Sequence, residues 1–203
     1  LQAAGVAATL FCEVDSDPCV QTITAGASRA RECGADVIIA LGGGSPLDAG
    51  KAIGLMALQD GTIGDYEKST PLRPGLPVIA ISTTAGTGSE VTKFVVITDT
   101  ERKIKMLINS PFLIPQVAIL DPRLTLSIPP AFTAGPGMDA LTHAIEAFQS
   151  SLATPTTDIF ALSAIRLIGG NLVKATLNGD NVSARTAMLL GQLHAGLAFG
   201  NAS

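Results

Sequence analysis

Three groups of side chains in this sequence have types and spacings that could do chemistry. Gly42, Gly43, Gly44 and Ser45 stand together, with Asp48 and Lys51 shortly after. Glycines let the backbone take positive φ and approach a ligand with no Cβ in the way. Ser45 followed by Pro46 reads as an N-cap and a first helical residue. A helix starting there would aim its unpaired N–H groups, with roughly half a positive charge, back over the glycines, an arrangement that attracts a diphosphate. A plain strand-to-helix turn uses the same residues, and the run matches neither Gly-x-Gly-x-x-Gly nor Gly-x-x-x-x-Gly-Lys-Ser/Thr. Asp48 would repel a phosphate, so it either faces away or bonds a neutral part of the ligand. Lys51, further into the helix, is expected to face solvent.

The second group is Ser82-Thr-Thr-Ala-Gly-Thr-Gly-Ser-Glu-Val-Thr92, with four threonines and two serines. Its hydroxyls and free N–H groups suit a ribose, a phosphate or a carboxamide, while a polar turn held by Ser and Thr side chains is the alternative. The third is Asp139 and His143, four apart and so on one side of a helix, with Glu146 one turn on. A carboxylate and a neutral imidazole suit a divalent first-row cation. The same Asp would equally favour the helix dipole, and a lone His on a helix equally serves packing.

The elements that must position these groups follow an α/β order. Asp17-Pro18 reads as the start of a helix carrying Val20, Ile23, Ala27 and Ala30 on one face, closed by Gly34. Val37 to Leu41 is an unbroken apolar run, the pattern of a parallel strand covered on both faces, and it leads straight into the glycines. Pro77 to Ser82 reads as a second buried strand after a polar connection from Gly61, and it delivers the threonine segment to its carboxyl end, where open α/β sheets bind ligands. Phe94 to Thr98 and Lys103 to Ile108 read as a hairpin, and Val117 to Leu120 as a further short strand. Lys105 lies in the second arm, as an exposed edge charge or a ligand contact. From Pro129-Pro130 onward the apolar spacing is helical. We therefore place an α/β nucleotide-binding domain at 1–128 and the start of an all-helical domain at 129–203. Gly135-Pro136-Gly137 is expected to break the first segment, with helices over Met138 to Gln149, Thr157 to Leu177 and Val182 to Phe199.

Composition bounds the reading. At 203 residues, 47% hydrophobic, the chain can bury a full core. A net charge of -4 with no basic cluster argues against nucleic acid as the main partner. Thr186 to Ser203 is apolar, but Gln192, His194 and Asn201 interrupt it and no basic flank follows, so a buried helix and no membrane partner are expected. Cys12, Cys19 and Cys33 form no Cys-x-x-Cys pair, which fits a reduced, cytoplasmic protein. The chain begins at Leu1 and ends directly after an apolar helix, so it reads as a piece of a longer protein.

The sequence resembles the iron-containing (group III) alcohol dehydrogenases along nearly its whole length. Gly42-Gly-Gly-Ser-Pro-Leu-Asp48, Thr83-Thr-Ala-Gly-Thr-Gly-Ser-Glu-Val-Thr92, Ile114-Pro-Gln-Val-Ala118 and Gly137-Met-Asp-Ala-Leu-Thr-His-Ala-Ile-Glu146 occur in that family's order and spacing. The resemblance implies the dehydroquinate synthase-like architecture, a nucleotide domain and a helical domain with a metal and a nicotinamide meeting between them. It implies that Gly43, Gly44 and Ser45 hold the diphosphate of NAD or NADP and that Asp48 lies beside the nicotinamide. Thr83, Thr84, Thr87 and Thr92 would line the cofactor, with Lys105 near its ribose. Asp139 and His143 match two of the family's four ligands for Fe(2+), or Zn(2+); the other two are expected beyond Ser203, so residues 1–203 alone are expected to be inactive. His194 does not match a ligand and reads as structural.

The implied activity is NAD(P)-dependent, metal-dependent interconversion of a small primary alcohol or diol and its aldehyde, and a homo-oligomer stays open. Two other readings stand beside it. One is a metal-independent reductase or sugar-phosphate lyase on the same fold; the other is a nucleotide-binding fragment without activity of its own.

Overall fold

The structure, a computed structural model, describes residues 1–67 and 73–202. Part of the polar connection expected from Gly61 to Pro77 falls outside the described residues; the described part contains a short 3-10 turn, Ile63–Tyr66.

The first helix, α1 (Val20–Glu32), buries Ile23, Gly26, Ala27 and Ala30, the i, i+3, i+4, i+7 stripe that its sequence dictates. Its end is as expected: Gly34 has φ 63, and the Ala35 N–H reaches the Ala30 carbonyl at 2.9 Å, a Schellman closure. Its start is not. Cys19, not Asp17, is the N-cap, and Asp17 sits at φ 58. The cause is tertiary: the Pro18 carbonyl accepts from the Thr98 N–H at 2.8 Å and Cys19 bridges Thr98, which holds this segment extended.

Strand β1 (Ile38–Gly42) runs into helix α2 (Gly44–Met56). Strand β2 (Val78–Ser82) pairs with β1 in parallel, and β5 (Val117–Ile119) pairs with β2, giving the order β1-β2-β5. Helix α2 covers one face of this sheet, with Leu47 fully buried against Ala40, Val78 and Ala80. Coverage of both faces, expected from the apolar run at Val37 to Leu41, is not found among the described residues: Ile39 and Leu41 are 41% and 57% exposed, alongside Val117 and Ile119. Because both faces of β1 carry aliphatic side chains, its composition could not tell which one a helix would cover.

Strands β3 (Phe94–Asp99) and β4 (Ile104–Asn109) form the expected antiparallel hairpin, with Val95, Ile97, Met106 and Ile108 facing the main core under α1 and α2. Asp99 Oδ1 accepts both the Glu101 and Arg102 N–H groups at 2.9 Å, which fixes the turn.

After β5 the described residues contain no further strand. Helix α3 (Pro130–Gln149) runs without interruption through Gly135-Pro136-Gly137, correcting the expected break. Proline removes one helical hydrogen bond, to the Phe132 carbonyl, and Phe132 is 67% exposed, so water can replace it. The glycines serve packing: a Cβ at Gly137 would collide with Leu172, and one at Gly86 would lie 2.5 Å from Pro136 Cβ. Helix α4 (Pro155–Leu177) starts at a Thr154 N-cap that forms a reciprocal box with Thr157. Helix α5 (Val182–Ala202) is capped by Asn181 Oδ1, which accepts the Ala184 N–H at 3.0 Å.

The three helices pack on one another through small residues, Ala140, Ala144, Ala164, Ala184 and Ala195 among them. Helix α5, the apolar run questioned above, is largely buried. By length and composition the helix that would suit a bilayer is α4, 22% of whose apolar window is buried. Arg185 on α5 is 3% exposed and ties the start of this helical part together, donating to the Gly179 carbonyl, Thr133 Oγ1 and the Ile128 carbonyl.

Candidate functional site

The glycine turn and the threonine segment lie against each other at the carboxyl ends of β1 and β2. The Thr83 N–H donates to the Gly42 carbonyl at 2.9 Å. A Cβ at Gly43 would stand 3.1 Å from Thr84 Oγ1, and one at Gly44 would stand 2.6 Å from Thr87 Cγ2. A side chain at Gly44 would therefore have to displace Thr87, one at Gly43 would press on Thr84, and both threonines lie along the glycine turn. Gly42 adds a backbone requirement, φ 151, with Pro46 against the place a side chain would take.

Ser45 does not cap α2. Gly43 occupies the N-cap position without a side-chain bond, and Ser45 Oγ instead accepts the Asp17 N–H at 3.2 Å. Asp17 in turn takes Lys105 Nζ on its carboxylate at 2.8 Å. Lys105 thus sits at the margin of the glycine turn through Asp17, in an exposed ion pair.

Lys51 does not face solvent. It is 1% exposed, and its ammonium donates to the Ser89 carbonyl at 2.9 Å, Ser89 Oγ at 3.1 Å, Thr92 Oγ1 at 3.4 Å and the Phe94 carbonyl at 2.6 Å. Its helix is covered by the loop that leads from β2 to β3, and a buried ammonium needs such a ring of acceptors. Asp48 is committed nearby: Oδ1 accepts from Ser89 Oγ at 2.5 Å and Oδ2 from the Val96 N–H at 2.8 Å. Thr92 is 3% exposed with its hydroxyl on Lys51, so it supports the loop from beneath and does not line open space, contrary to the expectation for it.

Burial governs the electrostatics here. It pulls the Lys51 ammonium down to about 8, against the upward pull of Asp48 and Glu90. It also raises the carboxyls of Asp48 and Glu90 above their ordinary values, although Lys51 and their hydrogen bonds act the other way. All three groups move toward the neutral form, so desolvation outweighs their mutual attraction.

Asp139 and His143 do share a side of α3, with Oδ1 to Nε2 at 3.7 Å. An ion bonded at about 2.1 Å to each would tolerate a separation up to about 4.2 Å, so the pair fits a shared first-row cation. His143 Nδ1 is buried with no partner, and the ring stacks on Phe199 of α5 at 4.4 Å. Phe199 stacks in turn on Phe94 of β3 at 6.3 Å. Glu146 does not complete a cluster: among the described residues no group of three or more His, Cys, Asp or Glu is placed to hold a metal. His194 packs structurally, as expected, with Nδ1 2.9 Å from Ser163 Oγ and its ring beside Phe160; burial lowers it below the usual imidazole value.

The threonine loop and α3 meet. Gly86 abuts Pro136, which lies one turn before Asp139 on the same side of the helix. Helix α5 closes the other side, with Gly196 against Gly88 and Gln192 reaching into the loop. Lys51, Glu90 and Gln192 were not singled out as site residues from the sequence. The available signals were Lys51 amid the apolar second half of α2, Ala49 to Met56, and the Gln in the apolar run of α5, since such residues are buried only when paired.

Comparison with known proteins identifies the family. Residues 1–122 match the family described as iron-containing alcohol dehydrogenase, and residues 133–203 match the C-terminal region of the Fe-containing alcohol dehydrogenase family. The NAD-dependent methanol dehydrogenase of Bacillus methanolicus is 44% identical over 202 residues, which are 99% of this chain and 53% of that protein. The crystal structure of a 1,3-propanediol oxidoreductase superposes with a TM-score of 0.95 at 43% identity, over 99% of this chain and 53% of that one. A sulfoacetaldehyde reductase from Bifidobacterium kashiwanohense, solved with NAD+, gives a TM-score of 0.91 at 38% identity, over 97% and 53%. The chain spans about half the length of the relatives it matches. The matched regions hold the glycine turn and threonine loop on one side and the Asp139–His143 pair on the other, and the chain belongs to the iron-containing alcohol dehydrogenase family.

Proposed function

We propose that this protein takes part in the NAD(P)-dependent interconversion of a small primary alcohol or diol and its aldehyde, with a divalent metal, Fe(2+) or Zn(2+). The observation that carries the reading is the meeting of the glycine–threonine cradle with the helix that bears Asp139 and His143. Gly43 and Gly44 supply approach to the diphosphate, the Thr84 and Thr87 hydroxyls bond its polar atoms, and Thr83 holds the two loops in register. Asp139 and His143 hold the metal between Oδ1 and Nε2, which lie 3.7 Å apart. When bound, the metal supplies a Lewis acid for the alcohol oxygen and the nicotinamide accepts the hydride. Phe199 and Phe94 put apolar rings beside His143. Relatives described as a methanol dehydrogenase and a 1,3-propanediol oxidoreductase support a short alcohol as the substrate class.

We further propose that the chain divides near Pro129-Pro130 into a nucleotide unit and a helical metal unit, and that the free Cys12, Cys19 and Cys33 reflect a reducing, cytoplasmic setting.

The test is NADH titration by fluorescence beside metal analysis and turnover with propanediol or butanol. His143→Ala should lower bound iron or zinc by more than about tenfold while the NADH Kd changes less than about twofold, since His143 touches α5 and not the cradle. Undiminished metal content in His143→Ala would remove it from the metal site.

A further inference from the structure

We propose that Gln192, on α5, is a positioning residue for the nucleotide site, setting the shape of the threonine loop from the helical part of the chain. The inference rests on the reading of that loop as the cofactor cradle and deepens it. Gln192 is 1% exposed and every polar atom of its side chain is used. Oε1 accepts the Gly86 N–H at 2.8 Å and the Gly88 N–H at 3.3 Å, while Nε2 donates to Glu90 Oε1 at 2.8 Å and Ser82 Oγ at 3.5 Å. These four partners span the loop from the end of β2 to the 3-10 turn Ser89–Val91. The segment is irregular, and buried N–H groups without strand or helix partners must be satisfied by something else. Here one amide from the other part of the chain does it.

Two consequences follow. The Gly86 and Gly88 N–H groups are occupied, so they are not free for a ligand, while the Thr84 and Thr87 side chains lie against Gly43 and Gly44, with Thr87 Oγ1 accepting the Ser89 N–H at 3.3 Å. The position of those side chains then depends on α5 staying docked. Gly88, at φ 64, has Gly196 Cα 2.8 Å from where a Cβ would stand, so α5 lies directly against the loop there. Lys51 holds the same loop from the opposite side through Ser89 and Thr92, so the loop is gripped between α2 and α5.

The experiment is fluorescence titration with NADH, which yields a Kd and a number of sites per chain separately. Gln192→Leu is expected to raise the Kd about tenfold at an unchanged number of sites, the size of one to two lost hydrogen bonds. Gln192→Glu sets a second carboxyl against Glu90, with Lys51 and Asp48 beyond Glu90 on the α2 side; His143 and His194, toward α3 and α4, are common to every variant. Two carboxyls in contact share one proton, and the protonated member donates as the amide did. Lys51, brought down to about 8, titrates in wild type and in both variants, so each Kd is read relative to wild type at the same pH. That ratio is expected to be near one for Gln192→Glu at pH 6 and about fivefold or more at pH 8.5, whereas for Gln192→Leu it is the same at both. A purely space-filling role would leave the Kd ratio of Gln192→Glu to wild type independent of pH. An unaltered Kd in both variants at full site number overturns the inference. If Gln192→Leu loses sites instead of affinity, Gln192→Glu decides: a Kd ratio to wild type that rises with pH supports the role and a flat one overturns it. Failure of the wild-type protein to bind NADH at all would instead overturn the function proposed above, and this inference with it.

Discussion

Lys51 carries the sharpest consequence at the scale of single residues. An ammonium with no solvent contact is tolerated because it has acceptors on Ser89, Thr92 and Phe94, yet burial still brings it down to about 8. In the unfolded chain the same group titrates near 10.5. Between these pH values the unfolded state binds more protons, so this group makes stability rise with pH across that window, by about 3 kcal/mol in all. Lys51→Met should lack that rise. At pH 7.5 it should also be less stable by about 2–4 kcal/mol, because the Ser89 and Phe94 carbonyls lose their partner in a buried site. Urea titrations of both proteins at pH 7.5 and pH 10 read the two effects. Parallel stability changes over that range would show that the ammonium is not held as described.

At the scale of elements, the strand-turn-helix unit from Ile38 to Met56 works through its first helical residue. Gly44 opens α2 one residue after the Gly43 N-cap, a position where most residue types keep the helix, so a side chain there need not disturb secondary structure. It would disturb the neighbour: Thr87 Cγ2 lies 2.6 Å from a Cβ at this site. Gly44→Val should push Thr87 out of the cradle and raise the NADH Kd about tenfold or more, while far-UV circular dichroism is retained. Unchanged affinity in a folded Gly44→Val protein would move the diphosphate away from this turn.

At the scale of the whole molecule, the strand-bearing and helical parts meet closely where Gly86 faces Pro136 and Gly88 faces Gly196. Gly88 and Gly196 meet backbone to backbone, and a Cβ on Gly196 would stand 2.8 Å from Val91 Cγ2 and 3.1 Å from the Gly88 carbonyl oxygen. Small residues at both positions let α5 lie on the loop, as they do wherever elements must approach closely. Gly196→Val should therefore lower stability by about 1–3 kcal/mol, the usual range for overpacking, and weaken NADH binding because the loop and α5 move together. Urea unfolding and NADH titration check both; loss of stability with intact affinity would mean that the loop keeps its shape without the helix.

Much of this protein was legible in its sequence. Ile38 to Gly42 followed by glycines, Ser82 to Thr92 after a second apolar strand, and Asp139 with His143 four apart are local patterns whose meaning depends on residues close in the chain, so strand, turn and helix faces follow from them. The same holds for Gly34 at the end of α1 and for the Asp99 turn of the hairpin. Tertiary structure alone decided what distant residues do to one another. It took Ser45 away from its capping role because Asp17 offered a partner, carried α3 through Pro136 because Gly86, Leu172 and Met188 pack there, and buried Lys51 because the loop from Thr83 to Thr92 lies over it. It also brought Gln192 to the Gly86 N–H across more than a hundred intervening residues. Propensity and periodicity describe what each segment can form; which polar atoms become buried, and therefore must be paired, is settled only when the segments pack.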